Sequence, residues 1–199
     1  MSLNIDKILL LAKKKGIIRV QDLTKRKIHP EYLRRLCQKG LLVKLGKGLY
    51  ALENADFSVN VGVAQIAKKI PNCVICLLSA LRFHDLGTQN PSEIWIAIER
   101  SSSTPHIEYP PLRIARFSGK SMTEGIEHHK IEGVNVQIFN PAKTIADCFK
   151  YRNKIGIDVA VEALRDGFKK RLCTSDQVWH YAQICRVANI MRPYLEAMS

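Results

Sequence analysis

The chain has 199 residues, enough for one large domain or two small ones. Its hydrophobic content of 46% is sufficient for a folded core and argues against intrinsic disorder. The longest apolar run, residues 73–81, is far shorter than the roughly 20 residues of a transmembrane helix, and MSLNID at the start lacks a signal-peptide layout. We therefore expect a cytoplasmic protein without a membrane role, whose six cysteines remain reduced.

The positive charge is concentrated near the start of the chain. Residues 1–50 hold 13 Lys and Arg but three Asp and Glu, whereas the remaining residues hold 18 and 15. Such a concentration is typical of a nucleic-acid-binding module joined to a nearly neutral domain. A membrane-surface role fits less well, because the basic residues are spread over several predicted elements and not along one amphipathic helix with aromatic anchors.

The first elements are short and end in basic residues. Apolar periodicity predicts a helix that begins at Asn4 or Asp6 and ends near Lys15. Residues 17–19 read as a connector, residues 20–25 as a second, short helix, and residues 25–27 as a basic turn. This succession predicts the first half of a helix-turn-helix.

Residues 29–40 predict an amphipathic helix. Pro30 suits the first helical position, and Gly40 suits the position just after the end. Its buried stripe is Leu33, Leu36 and Cys37. Its opposite face is polar and largely basic, with Glu31, Arg34, Arg35 and Gln38.

A basic hairpin follows this helix. Two apolar strands, residues 41–45 and 49–52, flank Gly46 and Gly48, which suit a tight turn. The order of elements predicts a winged helix-turn-helix, with the helix in the major groove of DNA and the wing lysines, Lys44 and Lys47, on the phosphate backbone. An ordinary surface helix with solvated arginines is the alternative. The predicted DNA-binding residues are Lys25, Lys27, His29, Tyr32, Arg34, Arg35, Gln38, Lys39, Lys44 and Lys47.

Four segments resemble one known family. They are KKKGIIRVQDL, HPEYLRRLCQKGLLVKLGKGLYAL, LLSALRFHDL and NPAKTIADCFKYRNKIG, and the resemblance as a whole covers nearly the whole chain. They resemble the AbiEi-type antitoxins, the regulator half of the abortive-infection AbiE (type IV) toxin–antitoxin systems. The resemblance implies a repressor that binds double-stranded DNA at its own promoter, where inverted repeats are expected. It also implies an antitoxin that counteracts a nucleotidyltransferase-like toxin encoded beside it, without a stable complex.

The rest of the chain predicts a mixed α+β domain. Residues 53–60 are polar and read as a hinge, which divides the chain into a winged helix at 1–52 and an α+β antitoxin domain at 56–199. Predicted helices cover 61–70 and 73–84, and predicted strands cover 93–100, 112–117, 127–131 and 134–139. Asn140-Pro141 and Thr174 to Gln177 are helix-start signals in a helical C-terminal end.

No pattern in the chain is typical of catalysis. Ser79, His84 and Asp85 are too close in sequence for a triad, and no nucleophile elbow surrounds the serine. Cys73 and Cys76 form a single CxxC inside an apolar run, which indicates buried thiols more than zinc ligands. We expect no enzyme activity, no cofactor and no metal. Two alternatives stay open, a ligand-sensing C-terminal domain and a DNA-directed effector enzyme.

Overall fold

The computed structural model describes residues 2–15, 17–46, 48–53, 59–107 and 110–198. Over these ranges the chain divides into two compact units. The first comprises Met1–Gln65 with Lys130–Val134, and the second comprises Ile66–His129 with Asn135–Ser199. The fold is mixed α+β, as the sequence predicts. Residues 54–58, in the predicted hinge, lie outside the described residues.

The first unit begins with a winged helix-turn-helix. Its elements are α1 (Ser2–Lys15), β1 (Ile17–Arg19), α2 (Val20–Thr24), α3 (Glu31–Gln38), β2 (Leu42–Gly46) and β3 (Leu49–Leu52). In the described part of this unit, β1, β3 and β2 form a three-stranded antiparallel sheet, called the wing sheet below. A further helix, α4 (Val59–Lys69), follows the wing sheet in the chain.

The interpretation of residues 17–19 as a connector is wrong, because they form β1. Ile17, Ile18 and Arg19 pair with Ala51, Tyr50 and Leu49 of β3, respectively. This pairing satisfies backbone groups on the edge of β3 that β2 does not reach. A strand of three residues is too short to show an alternating pattern, so sequence periodicity does not reveal it.

Both ends of α3 carry identifiable signals. Pro30 is the N-cap and not the first helical residue, so the helix begins one residue later than predicted. At the other end, Gly40 has φ +66°. Leu41 N–H donates to Leu36 O and Gly40 N–H to Cys37 O, each at 3.0 Å. These two bonds form a Schellman motif, which confirms the predicted role of the glycine.

The winged helix has one small core, against which the partly buried Tyr50 and Leu52 of β3 also pack. The buried side chains come from α1, β1, α2, the following turn, α3 and β2, and they are Ile8, Leu11, Ala12, Ile18, Leu23, Ile28, Leu33, Leu36 and Leu42. The predicted inward positions Leu33 and Leu36 of α3 are thereby confirmed, and Cys37 is half-buried against the same core. A core this small depends strongly on each of its members.

The second unit consists of a mixed sheet and a group of helices. Its elements are β4 (Val74–Ile75), α5 (Leu77–Phe83), β5 (Ile94–Glu99), β6 (Leu112–Phe117), α6 (Lys120–Thr123), β7 (Ile126–Ile131), β8 (Val134–Phe139), α7 (Pro141–Lys150), α8 (Arg152–Ile155), α9 (Ile157–Lys169), α10 (Ser175–Ile184) and α11 (Ala188–Glu196). In the described residues the sheet has five strands in the order β6-β5-β4-β8-β7. The strand β4 runs parallel to β8 and antiparallel to β5.

The prediction of one helix over residues 73–84 is wrong in its first part. Val74 and Ile75 form β4, and α5 begins at Leu77. Both β4 residues are fully buried between two neighbouring strands. A buried strand reads as a continuous apolar run, which sequence periodicity cannot distinguish from a buried helix.

The helix α7 lies at the centre of the second unit and is buried along residues 142–149. Asn140 caps it, since Lys143 N–H donates to Asn140 Oδ1 at 2.8 Å. Thr174 and Gln177 form the predicted capping box of α10. The start signals of both helices are thus confirmed.

A fully buried ion pair lies inside α7. Lys143 Nζ is 2.5 Å from Asp147 Oδ2, and neither side chain is exposed. The ammonium also lies 4.1 Å from the ring centre of Phe139 and 4.9 Å from that of Phe117, and Cys185 Sγ lies 3.1 Å from Asp147 Oδ1. Burial raises the pKa of Asp147, and the charge of Lys143 opposes that rise. The sequence analysis missed this pair, because spacing i, i+4 usually marks a solvated pair.

We predict that Lys143→Met lowers the free energy of unfolding of the second unit by about 3–5 kcal/mol, because Asp147 is left as an uncompensated buried charge. The double variant Lys143→Met/Asp147→Leu should recover most of this loss. The measurement is urea unfolding followed by tryptophan fluorescence, since Trp95 and Trp179 both lie in this unit. Arg165→Met, at an exposed position of α9, is the control and should change stability by less than about 0.5 kcal/mol. Equal losses in the single and double variants would contradict a charge effect.

Candidate nucleic-acid interface

The helix α3 separates a buried face from a cationic one. Leu33 and Leu36 are each 1% exposed. The side chains of Arg34 and Arg35 are 68% and 57% exposed. Because the two leucines anchor the helix in the core, both guanidinium groups point into solvent, where the major groove of DNA can receive a helix.

Glu31 holds both arginines on this face. Arg34 donates from Nε and Nη2 to Glu31 Oε1 at 2.9 and 2.7 Å, and Arg35 Nε lies 3.9 Å from the same oxygen. The hydrogen bond from Arg34 lowers the pKa of Glu31 below its usual range, so the pair is charged at neutral pH. An exposed pair of this kind is weak, which allows a DNA acceptor to replace Glu31 as the partner of Arg34.

The other residues predicted to bind DNA belong to α3 or to the segments just before and after it in the chain. Those with exposed side chains are Lys25, Lys27, His29, Gln38, Lys39 and Lys44. His29 has a local role as well, because its Nδ1 accepts a hydrogen bond from Glu31 N–H at 3.2 Å. Tyr32 is half-buried and packs against the core of the unit. Lys47 lies outside the described residues.

The Asp22 side chain, in the first turn of α2, connects the first two helices of the helix-turn-helix. It accepts from Lys15 Nζ at 2.7 Å and from Arg19 N–H at 2.9 Å, which joins the end of α1 to the start of α2. Arg26 in the basic turn donates to Asp22 O at 3.0 Å. The contact between Arg26 and Asp22 O was not predicted from the sequence, although the two residues are only four positions apart.

Residues that resembled a triad have separate structural roles in the second unit. Trp95 N–H donates to Ser79 Oγ at 2.9 Å, and His84 Nε2–H donates to Phe139 O at 2.8 Å. Asp85 pairs with Lys170 at 2.7 Å. The serine and histidine therefore attach α5 and its end to the sheet.

The cysteines are all described, and five of the six are buried. Burial raises the pKa of Cys73 and of Cys185 to about 12, which keeps both as thiols. No group of three or more His, Cys, Asp or Glu side chains in the described ranges is placed to hold a metal ion. No helix of the described chain is long and apolar enough to cross a membrane.

Comparison with known proteins gives one family match, which coincides with the winged helix. Residues 6–52 match the AbiEi_4 family, described as "Transcriptional regulator, AbiEi antitoxin". The matched segment covers α1 to β3 and includes the cationic face of α3. The resemblance to AbiEi antitoxins is thereby confirmed for this segment.

A likeness in fold extends over most of the chain. The crystal structure of the RV2827C protein from Mycobacterium tuberculosis matches with a TM-score of 0.62 and 15% sequence identity, covering 92% of this chain and 75% of that one. At this identity the likeness concerns the fold alone. A search of curated proteins finds no match.

We predict that Arg34→Ala and Arg35→Ala each weaken sequence-specific DNA binding. Loss of a two-bond contact with guanine costs about 1–3 kcal/mol of discrimination. Both side chains are exposed, so the circular dichroism spectrum and thermal midpoint should stay unchanged. The measurement is fluorescence anisotropy with operator and scrambled duplexes. Unchanged operator affinity in both variants would contradict the assignment of α3 as the recognition helix.

We predict a different result for the wing. Lys44→Ala should weaken binding to operator and scrambled duplexes about equally, and should reduce the salt dependence by roughly one ion, because a phosphate contact carries no sequence information. The check is the slope of log affinity against log salt for both duplexes. A loss confined to the operator would mean that the wing reads bases.

Proposed function

We propose that this protein is a DNA-binding transcriptional autorepressor and an antitoxin that counteracts a nucleotidyltransferase-like toxin. The observation that carries the proposal is the cationic face of α3, which lies inside the segment that matches the AbiEi antitoxin regulators. The regulatory part rests on geometry and charge. The antitoxin part rests on the family description and on the sequence resemblance.

For DNA binding, α3 enters the major groove and the hairpin β2–β3 lies along the phosphate backbone. Arg34, Arg35 and Gln38 take the base-contacting role, because they lie on the face opposite the buried leucines. Phosphate contacts are assigned to five lysines, Lys25, Lys27, Lys39, Lys44 and Lys47. His29 and Tyr32 position the start of the helix. This division follows the general separation of base contacts, which specify, from phosphate contacts, which orient.

The antitoxin role is assigned to the second part of the chain, residues 56–199, and DNA binding to residues 1–52. Repression acts at the protein's own promoter, on inverted repeats. The proposed toxin partner is encoded beside this gene, and protection requires no stable complex between the two proteins. None of these roles requires a catalytic residue.

A ligand-sensing second unit remains the less supported alternative. A cleft of about 340 Å³ in this unit is lined by Glu127, Asn140, Pro141, Ala142, Leu172, Asp176, Gln177, His180 and Tyr181. Most of these side chains are polar, and the tyrosine hydroxyl is already paired with Asn140 Nδ2 at 3.0 Å. A sensing domain is expected to enclose an apolar cavity, and this cleft has a different character.

The proposal is tested by separating repression from protection with one variant. We expect Arg34→Ala/Arg35→Ala to lose the footprint on the upstream region and to lose repression of a reporter gene. Expressed from an independent promoter, the same variant should still relieve the growth arrest caused by the neighbouring toxin, because α3 has no role in protection.

The control for this experiment is Lys13→Ala/Arg165→Ala, which removes two exposed cations from other helices and should behave as the wild type in both assays. Absence of any protected region with the wild-type protein would overturn the autorepressor role. Loss of growth rescue together with loss of repression would show that protection depends on DNA binding.

A further inference from the structure

A groove of about 470 Å³ lies along α1 in the first unit. Its lining residues are not among the predicted DNA-binding residues, although two of them, Arg26 and Ile28, are their neighbours in the chain. Its lining consists of Lys7, Leu10, Leu11, Lys14, Arg26 and Ile28. The four residues from α1 stand at i, i+3, i+4 and i+7, which places them on one face of the helix. Arg26 and Ile28 form the facing side, from the turn between α2 and α3.

The groove has an apolar floor and a cationic rim. Leu11 and Ile28 are 8% and 5% exposed and form the floor, where they also belong to the core of the unit. Leu10 stands on the rim with 70% of its surface exposed. The side chains of Lys7, Lys14 and Arg26 are exposed around it.

Among the described residues, core packing does not account for Leu10, because the buried stripe of α1 uses Ile8, Leu11 and Ala12. Contact with a DNA backbone does not account for it either, because phosphate oxygens match the cations and leave a leucine side chain without a complement. A surface that combines aliphatic side chains with three cations is complementary to aliphatic side chains combined with carboxylates. An amphipathic protein segment with acidic residues carries both.

We propose that this groove binds an amphipathic helix of another protein, one that presents aliphatic side chains flanked by Asp or Glu. The α1 stripe runs from Lys7 to Lys14, seven steps of 1.5 Å or about 10 Å, which matches about two turns of a partner helix. The partner's aliphatic side chains at i, i+3 and i+4 cover Leu10 and the floor, and its acidic residues reach Lys7, Lys14 and Arg26.

A second copy of this chain is a poor occupant of the same face. In a symmetric pair, the groove meets its own equivalent, so Lys7, Lys14 and Arg26 of one copy face the same cations of the other. Such an arrangement of like charges is repulsive. The charge of the groove therefore selects an acidic partner of a different sequence.

The experiment uses the full chain and a fluorescein-labelled helical peptide of about four turns, with leucines along one face and glutamates beside them. Anisotropy should show saturable binding that weakens with rising salt. The same peptide with lysines in place of the glutamates should not bind. Leu10→Ser should weaken binding about tenfold, since a leucine contact is lost.

The matched variants Lys14→Glu and Lys13→Glu distinguish binding in the groove from long-range electrostatic attraction between the basic protein and the acidic peptide. Both change the net charge equally and lie next to each other on α1, but Lys13 does not line the groove. We expect Lys14→Glu to weaken peptide binding at least about threefold more than Lys13→Glu, because the local ion pair adds to the long-range attraction. All three variants change exposed positions, and their circular dichroism spectra should match the wild type.

Three results would overturn the proposal. One is a peptide that fails to bind or binds Leu10→Ser equally well. Another is evidence that the groove binds DNA: Lys14→Glu would lose more duplex affinity than Lys13→Glu, and the wild-type protein would not bind the peptide. The third is a wild-type dimer in sedimentation that Leu10→Ser converts to a monomer, which would assign the groove to a second copy.

Discussion

The winged helix depends on one constraint, the orientation of the short helix α3 about its own axis. The eight residues of α3 supply both the core and the DNA-facing surface. A shift of one position would turn each side chain by about 100°, which would expose Leu33 and Leu36 and bury Arg34 or Arg35. Core packing therefore holds the guanidinium groups outward, and the stability of this unit and its capacity to meet DNA have a common origin.

The second unit is organised around a polar contact in its interior. The pair Lys143–Asp147 is fully buried inside α7, with aromatic rings on one side and a thiol on the other. Transfer of both charges out of water is costly, and a close partner offsets that cost only in one geometry. The pair thus favours one arrangement of α7 between the sheet and its neighbouring helices.

The sequence predicts elements that carry a local signal and misses those that do not. The caps Asn140 and Thr174, the glycine after α3 and the apolar stripes all have recognisable spacing, and the structure contains them. The strands β1 and β4 have three and two residues, which is too few for any period. Burial of Lys143 and Asp147 is likewise invisible locally, because it depends on elements that are distant in the chain.

For the candidate site, sequence spacing predicts which face of α3 is exposed but not the partners of the arginines. The exposure of the lysines in this unit could be predicted from the sequence, because charged side chains usually stay in solvent. The hydrogen bonds that Arg34 donates to Glu31 and that Arg26 donates to Asp22 O are visible only in the structure. Val20 N–H at the start of α2 donates to Gly48 O in the wing at 3.3 Å, beside the pairing of β1 with β3. These bonds connect the wing strands to the helix-turn-helix in the absence of DNA. The entropy cost of ordering the wing strands is therefore incurred on folding and not on binding. In the proposed complex, association gains from pre-organisation, because the strands β2 and β3 are already paired and lose little conformational freedom on contact.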